Sequence, residues 1–186
     1  VYAPTGDGNS GAAGSHLYSS SVVALDAATG ALRWFRQLTH RDIWDWDAPT
    51  PPLLTDLEID GKTVPAVIVT GKHSLFFMFN RLTGEPLNGF SERPTPQPST
   101  PSAEVWPTQP FPDAPGPIAR TSMTRAEIPD LVPGMRDACQ QYWDENGITS
   151  PPLYAPRQSP DAATLTYPLP TGGPNWGGGS YHPDLG

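Results

Sequence analysis

Cys139 is the only cysteine in this chain of 186 residues, so no disulfide can close within it and no Cys-x-x-Cys pair offers a redox or metal motif. Basic residues are scarce too. Eleven Lys and Arg against 19 Asp and Glu leave a formal charge of −8. That is the wrong sign for a face that neutralises phosphates, which excludes nucleic acid as a partner. No apolar run approaches the roughly 18 consecutive residues that a membrane helix needs. No methionine opens the chain: Val1-Tyr2-Ala3-Pro4 starts as a strand, and Asp184-Leu185-Gly186 stops just after a turn. The expectation is a piece of a longer protein, in which case the absence of a targeting segment carries no information.

What the chain has is turns. Val22, Val23 and Leu25 form a short β-branched run closed by Asp26-Ala27-Ala28-Thr29-Gly30, and Leu32 to Leu38 resumes as a strand, which predicts a hairpin. A second pair follows, Val64 to Val69 and Leu75 to Phe79, and it ends in Asn80-Arg81-Leu82-Thr83-Gly84-Glu85, a degenerate copy of the first turn. Turns repeating after 54 residues suit stacked four-stranded sheets, whose usual period is about 40 to 50 residues.

From Pro86 to Pro117, ten of 32 residues are proline. The segment reads as an extended connection that does not pair as sheet. Phe90, Trp106 and Phe111 argue that it packs rather than drifts. Pro133 to Gly147 reads as the one helix, with Met135, Ala138, Cys139 and Tyr142 on a face expected to enter the core. Thr164 to Tyr167 reads as a strand before the run Gly172-Gly173-Pro174-Asn175-Trp176-Gly177-Gly178-Gly179.

Ala24-x-Asp26-x-x-Thr29-Gly30-x-x-x-Trp34 resembles the tryptophan-docking motif of eight-bladed quinoprotein propellers, and His40 to Asp47 resembles the active-site segment of their pyrroloquinoline quinone (PQQ) dehydrogenases. The similarity extends through Pro107-Thr108-Gln109-Pro110-Phe111-Pro112 and Gly147-Ile148-Thr149-Ser150-Pro151-Pro152, which look like the membrane-bound glucose dehydrogenase branch. It implies an all-β fold, part of one eight-bladed propeller domain over residues 1–186, with a Pro-rich inter-blade insertion over 86–160 and one short helix.

The resemblance also assigns residues. Removing a hydroxyl proton and a hydride from a C–OH group needs a base beside an electron acceptor. Asp45 matches the family's catalytic aspartate, and Trp44 and Trp46 are expected to limit water around it and raise its basicity. On residue type alone, Asp42, Asp45 and Asp47 read equally as carboxylates capping loop amides. Lys72, 27 residues on, matches the cation that contacts the quinone carbonyls, where it would stabilise developing negative charge. Asn175 and Trp176 match a cofactor-contacting segment. Asp7, with Asn9 nearby, stands where relatives carry a Ca²⁺-binding Asn, and Asp45 and Asp47 complete the expected metal ligands; a lanthanide is the alternative to Ca²⁺. The implied function is oxidation of a sugar, polyol or alcohol, with electrons passed to ubiquinone or a cytochrome on the periplasmic side of a bacterial inner membrane or in the periplasm. The competing reading is a non-catalytic propeller scaffold, which has no reason to retain Asp45, Lys72 and Asn175 together.

Overall fold

A computed structural model describes residues 1–8, 13–98, 105–156, 163–169 and 171–185. Strands β1 (Tyr2–Pro4), β2 (Ser21–Leu25) and β3 (Leu32–Gln37) form one antiparallel sheet in that order. Strands β4 (Leu53–Ile59), β5 (Lys62–Thr70) and β6 (Phe76–Asn80) form a second. Both predicted hairpins are present. Pro65 is tolerated in the central strand β5 because its ring lies just beyond the last β5–β6 pair, Ala66–Asn80, where its carbonyl accepts the Arg81 amide at 2.9 Å.

The repeated turns are alike in atomic detail. Asp26 Oδ1 accepts the amides of Ala28 and Thr29, and Asn80 Oδ1 accepts those of Leu82 and Thr83. Each loop then closes through a glycine at positive φ, 73° at Gly30 and 75° at Gly84. The two sheets are locked by Trp34, whose indole N–H donates to the Arg81 carbonyl at 3.1 Å. A Cβ on Gly84 would stand 2.7 Å from the Trp34 ring, so this turn requires glycine for space as well as for φ. Val22, Ala24, Trp34, Val67, Val69, Phe77 and Phe79 form the shared core.

Four expectations change. Strand β4 is additional: Leu53, Thr55, Leu57 and Ile59 alternate half-buried with exposed neighbours, and Asp60-Gly61, both at positive φ, turns the chain into β5. The Pro-rich stretch does pair, as β7 (Ser91–Pro94) with β8 (Thr108–Phe111). Pro94 and Pro110 fall on ladder pairs of the same parity, 94–108 and 92–110, where a missing N–H facing outward costs no ladder bond.

The helix α1 (Met135–Glu145) is where expected, yet none of its residues is buried and Cys139 is exposed. Polar residues encircle it, so the four-residue apolar face is too narrow to compete. The helix is held instead by a two-bond Arg125–Asp144 pair at 2.7 and 2.8 Å and by Arg136 donating to the Ile128 carbonyl. Residues 164–167 form no strand, only a single bridge from Thr164 to Thr149.

Candidate active site

Residues 39–50 leave β3 and enter β4, and their conformation is fixed at several points. Gln109 of β8 binds both backbone groups of His40, accepting its N–H and donating to its carbonyl, each at 2.7 Å. Asp42, 1% exposed, accepts the Trp44 amide (3.0 Å) and the Ser20 hydroxyl (3.2 Å). Burial pushes its carboxyl above the usual range despite these bonds. The capping reading therefore holds for Asp42.

The segment turns at Asp45, whose φ is 65°, and its side chains divide between two faces. Trp44 and Trp46 point inward, stacked on each other with centroids 5.4 Å apart and both edge-on to Tyr154. The Trp44 indole N–H donates to the Ala155 carbonyl at 2.8 Å. Asp45 and Asp47 face the other way. The expectation that the two indoles desolvate Asp45 is thereby corrected: its side chain is 55% exposed, because the rings that were to shield it belong to the core.

What Asp45 has instead is Lys72. The connection from β5 to β6 carries Lys72 so that its ammonium stands 2.7 Å from Asp45 Oδ1 and 2.7 Å from Asp47 Oδ1. Its backbone N–H donates to the Asp47 carbonyl at 2.9 Å. Burial acts to lower the Lys72 pKa, but the bonds and charges of Asp45 and Asp47 outweigh it and the net shift is upward. The lysine is a fixed cation and both carboxylates face it. Directly behind lies His73, fully buried, whose Nδ1 accepts the Leu75 amide at 3.0 Å and whose pKa burial pushes down to about 3.

The tail returns onto this group. Gly173 N–H donates to the Lys72 carbonyl at 3.1 Å, and a Cβ on Gly172 would sit 2.5 Å from Lys72 Cβ. The close approach that glycine permits at 172 is thus to protein. Asn175 lies in the same loop with its amide occupied, Nδ2 on the Thr171 carbonyl and Oδ1 on the Trp176 N–H. Trp176 is 83% exposed, an uncovered aromatic ring three residues past the Gly173 contact.

Asp7 is exposed. Among the described residues, no three His, Cys, Asp or Glu side chains converge as a metal-holding group. Asp7, Asp45 and Asp47 are therefore not gathered into one, and Asn9 lies outside the described residues. Two carboxylates converging on one ammonium form a cation cradle of hard oxygen donors, the kind Ca²⁺ takes, and two such donors leave most of a six- to eight-ligand shell to other groups. Sequence reasoning missed Gln109, Tyr154 and the Gly172 contact. Only Asp42-x-Trp44, spaced for a side-chain-to-amide turn, carried a local signal.

Comparison with known proteins agrees with this architecture. A family model described as PQQ, glucose/ethanol/alcohol dehydrogenase, β-propeller domain, matches residues 1–186. The glycerol dehydrogenase large subunit of Gluconobacter thailandicus is 34% identical across all of this chain and 26% of its own length. Quinoprotein glucose dehydrogenase A of Acinetobacter calcoaceticus is 34% identical over 99% of the chain and 24% of its own. The quinate/shikimate dehydrogenase (quinone) of Acinetobacter baylyi is 32% identical over 95% and 21%. The chain spans about a quarter of the length of these relatives. Among solved structures, a europium-containing methanol dehydrogenase superposes with a TM-score of 0.57 at 19% identity, covering all of this chain and 26% of that one. At that identity the likeness concerns the fold, part of a β-propeller.

Proposed function

This chain belongs to the PQQ-dependent glucose/ethanol/alcohol dehydrogenase β-propeller family, and from that membership we propose that its parent protein oxidises a sugar, polyol or alcohol C–OH group, with Asp45 as the base. The observation that carries the reading is the Asp45–Lys72–Asp47 cluster, two carboxylates 2.7 Å from one ammonium. Lys72, held protonated by its partners, fixes the Asp45 carboxylate at 2.7 Å, and the exposure of Asp45 leaves it open to a substrate hydroxyl.

The donor set fits the cofactor. Lys72 supplies a cation for a quinone carbonyl, and the uncovered Trp176 ring offers a stacking face for a flat heterocycle. Asn175 would first have to release Thr171 or Trp176 to contribute its amide. Asp45 and Asp47 would supply hard oxygens to Ca²⁺ or a lanthanide, with Asp7 and groups outside this chain completing the shell. PQQ, when bound, supplies the two-electron acceptor. Electron transfer onward to ubiquinone or a cytochrome, and a periplasmic location, extend the same reading. Among the described residues no helix is long and apolar enough to cross a membrane.

The test is dye-linked oxidation by the full-length protein, with PQQ and Ca²⁺ supplied or withheld, across glucose, other aldoses, polyols and short alcohols. Activity that needs PQQ and selects among these substrates is expected. A parent protein unable to take up PQQ would refute the reading and leave a propeller scaffold.

A further inference from the structure

The carboxylate of Asp42 takes no part in the chemistry above, yet it binds the backbone next to the proposed base. It is 1% exposed; its Oδ1 accepts the Trp44 amide at 3.0 Å, immediately before Asp45, and its Oδ2 accepts the Ser20 hydroxyl at 3.2 Å. A side-chain acceptor gripping the amide of residue i+2 closes a turn just ahead of Asp45. Asp45, immediately after that turn, has φ 65°, a left-handed conformation that persists in a non-glycine residue only where its surroundings enforce it. In that conformation its carboxylate reaches the Lys72 ammonium while the two indoles turn into the core.

We propose that Asp42 is a positioning residue for the oxidation, holding the Trp44 amide so that Asp45 stays in its left-handed conformation facing Lys72. The inference rests on Asp45 being the base. Asn at 42 could keep its Oδ1 on the Trp44 amide and donate from Nδ2 to the Ser20 oxygen, whereas Ala removes the acceptor altogether.

The test uses Asp42→Ala in the full-length protein, with Asp42→Asn, which keeps an acceptor for the Trp44 amide, expected to restore wild-type exchange and turnover to within about threefold. In the cofactor-free form of Asp42→Ala, amide exchange over residues 41–48 should accelerate about tenfold or more, as expected when a buried hydrogen bond is lost. Exchange over residues 62–70 should stay as in the wild type. In the PQQ-loaded enzyme kcat should fall about tenfold or more, while cofactor affinity and KM change by less than about twofold, as misplacement of a base affects the chemical step more than binding. In Asp42→Ala, unchanged exchange over 41–48, wild-type kcat, or equal loss of protection over 62–70 would each overturn the proposal. Should Asp42→Ala not accumulate folded, Asp42→Glu, which shifts the acceptor by one methylene, is held to the same criteria. Wild-type turnover in Asp45→Asn would instead remove the base itself; a failing Asp45→Asn beside an unaffected Asp42→Ala sinks the positioning role alone.

Discussion

Burying His73 makes the stability of this fold fall as pH drops, by an amount that can be worked out. In the folded chain its imidazole is neutral, with Nδ1 accepting the Leu75 amide and the pKa pushed down to about 3; in the unfolded chain it titrates near 6.5. Above pH 6.5 the ring is neutral in both states and nothing is lost. Below it the unfolded chain binds a proton that the folded chain refuses, so folding loses roughly 1.4 kcal/mol per pH unit until the folded pKa is reached. Between pH 6.5 and about pH 5 the loss is about 2 kcal/mol. His73→Asn keeps an acceptor near the Nδ1 position but does not titrate. It gives up the ring contacts with Phe77 and Tyr154, so it should be less stable than the wild type at pH 7 by about 1–3 kcal/mol. The two curves should then converge on acidification, because only the wild type carries this proton linkage. Urea unfolding of both full-length proteins from pH 7 to pH 5, followed by tryptophan fluorescence, measures the difference and cancels every other titrating group. Parallel curves would refute the assignment of a buried, neutral His73.

Gly84→Ala should cost about 2–4 kcal/mol, combining a positive φ with a Cβ 2.7 Å from the Trp34 ring. Repeating it in a Trp34→Ala background should recover the steric part, about 1–3 kcal/mol, as a coupling energy in denaturant unfolding; purely additive effects would deny the contact. Asp45→Asn should leave PQQ bound and lower turnover by about two to four decades, the range for losing a general base, in steady-state dye reduction. Unchanged turnover would exclude Asp45 as the base. Lys72→Ala should cost about two to three decades in kcat, with Lys72→Arg losing less because a cation remains. Equal loss in both would show that the lysine's shape, not its charge, is what the site uses.

The parts of the fold legible in the sequence are those written in local chemistry. Asp26 and Asn80 can be read as turn initiators because a short acceptor followed at i+4 by glycine closes the same loop wherever it occurs. The β4–β5 hairpin was equally legible from Asp60-Gly61 and the alternation before it, signals masked by weak hydrophobicity. Helix α1 shows the limit of periodicity. Its position follows from Pro133, Gly134 and spacing, whereas burial depends on what packs against it, which no local pattern contains. Asp45 and Lys72 could be paired across 27 residues by resemblance and do meet. Tyr154 could not be found, because the contacts that make it a hub come from Trp44, Trp46, His73 and Phe111, far along the chain.

The correction at Asp45 changes how the site is tuned. A desolvated carboxylate would gain basicity from its surroundings, and substitutions at Trp44 or Trp46 would act on its proton affinity. Here the indoles lie on the opposite face, so their loss acts first on the core beneath. The electrostatics that Asp45 experiences come from Lys72, which it shares with Asp47. Removing the Asp47 charge would leave the Lys72 ammonium to Asp45 alone, and removing Lys72 would leave two carboxylates facing each other with no cation between them. The alternation from Trp44 to Asp47 thus lets one short segment anchor the core with one face and build a charge-balanced site with the other.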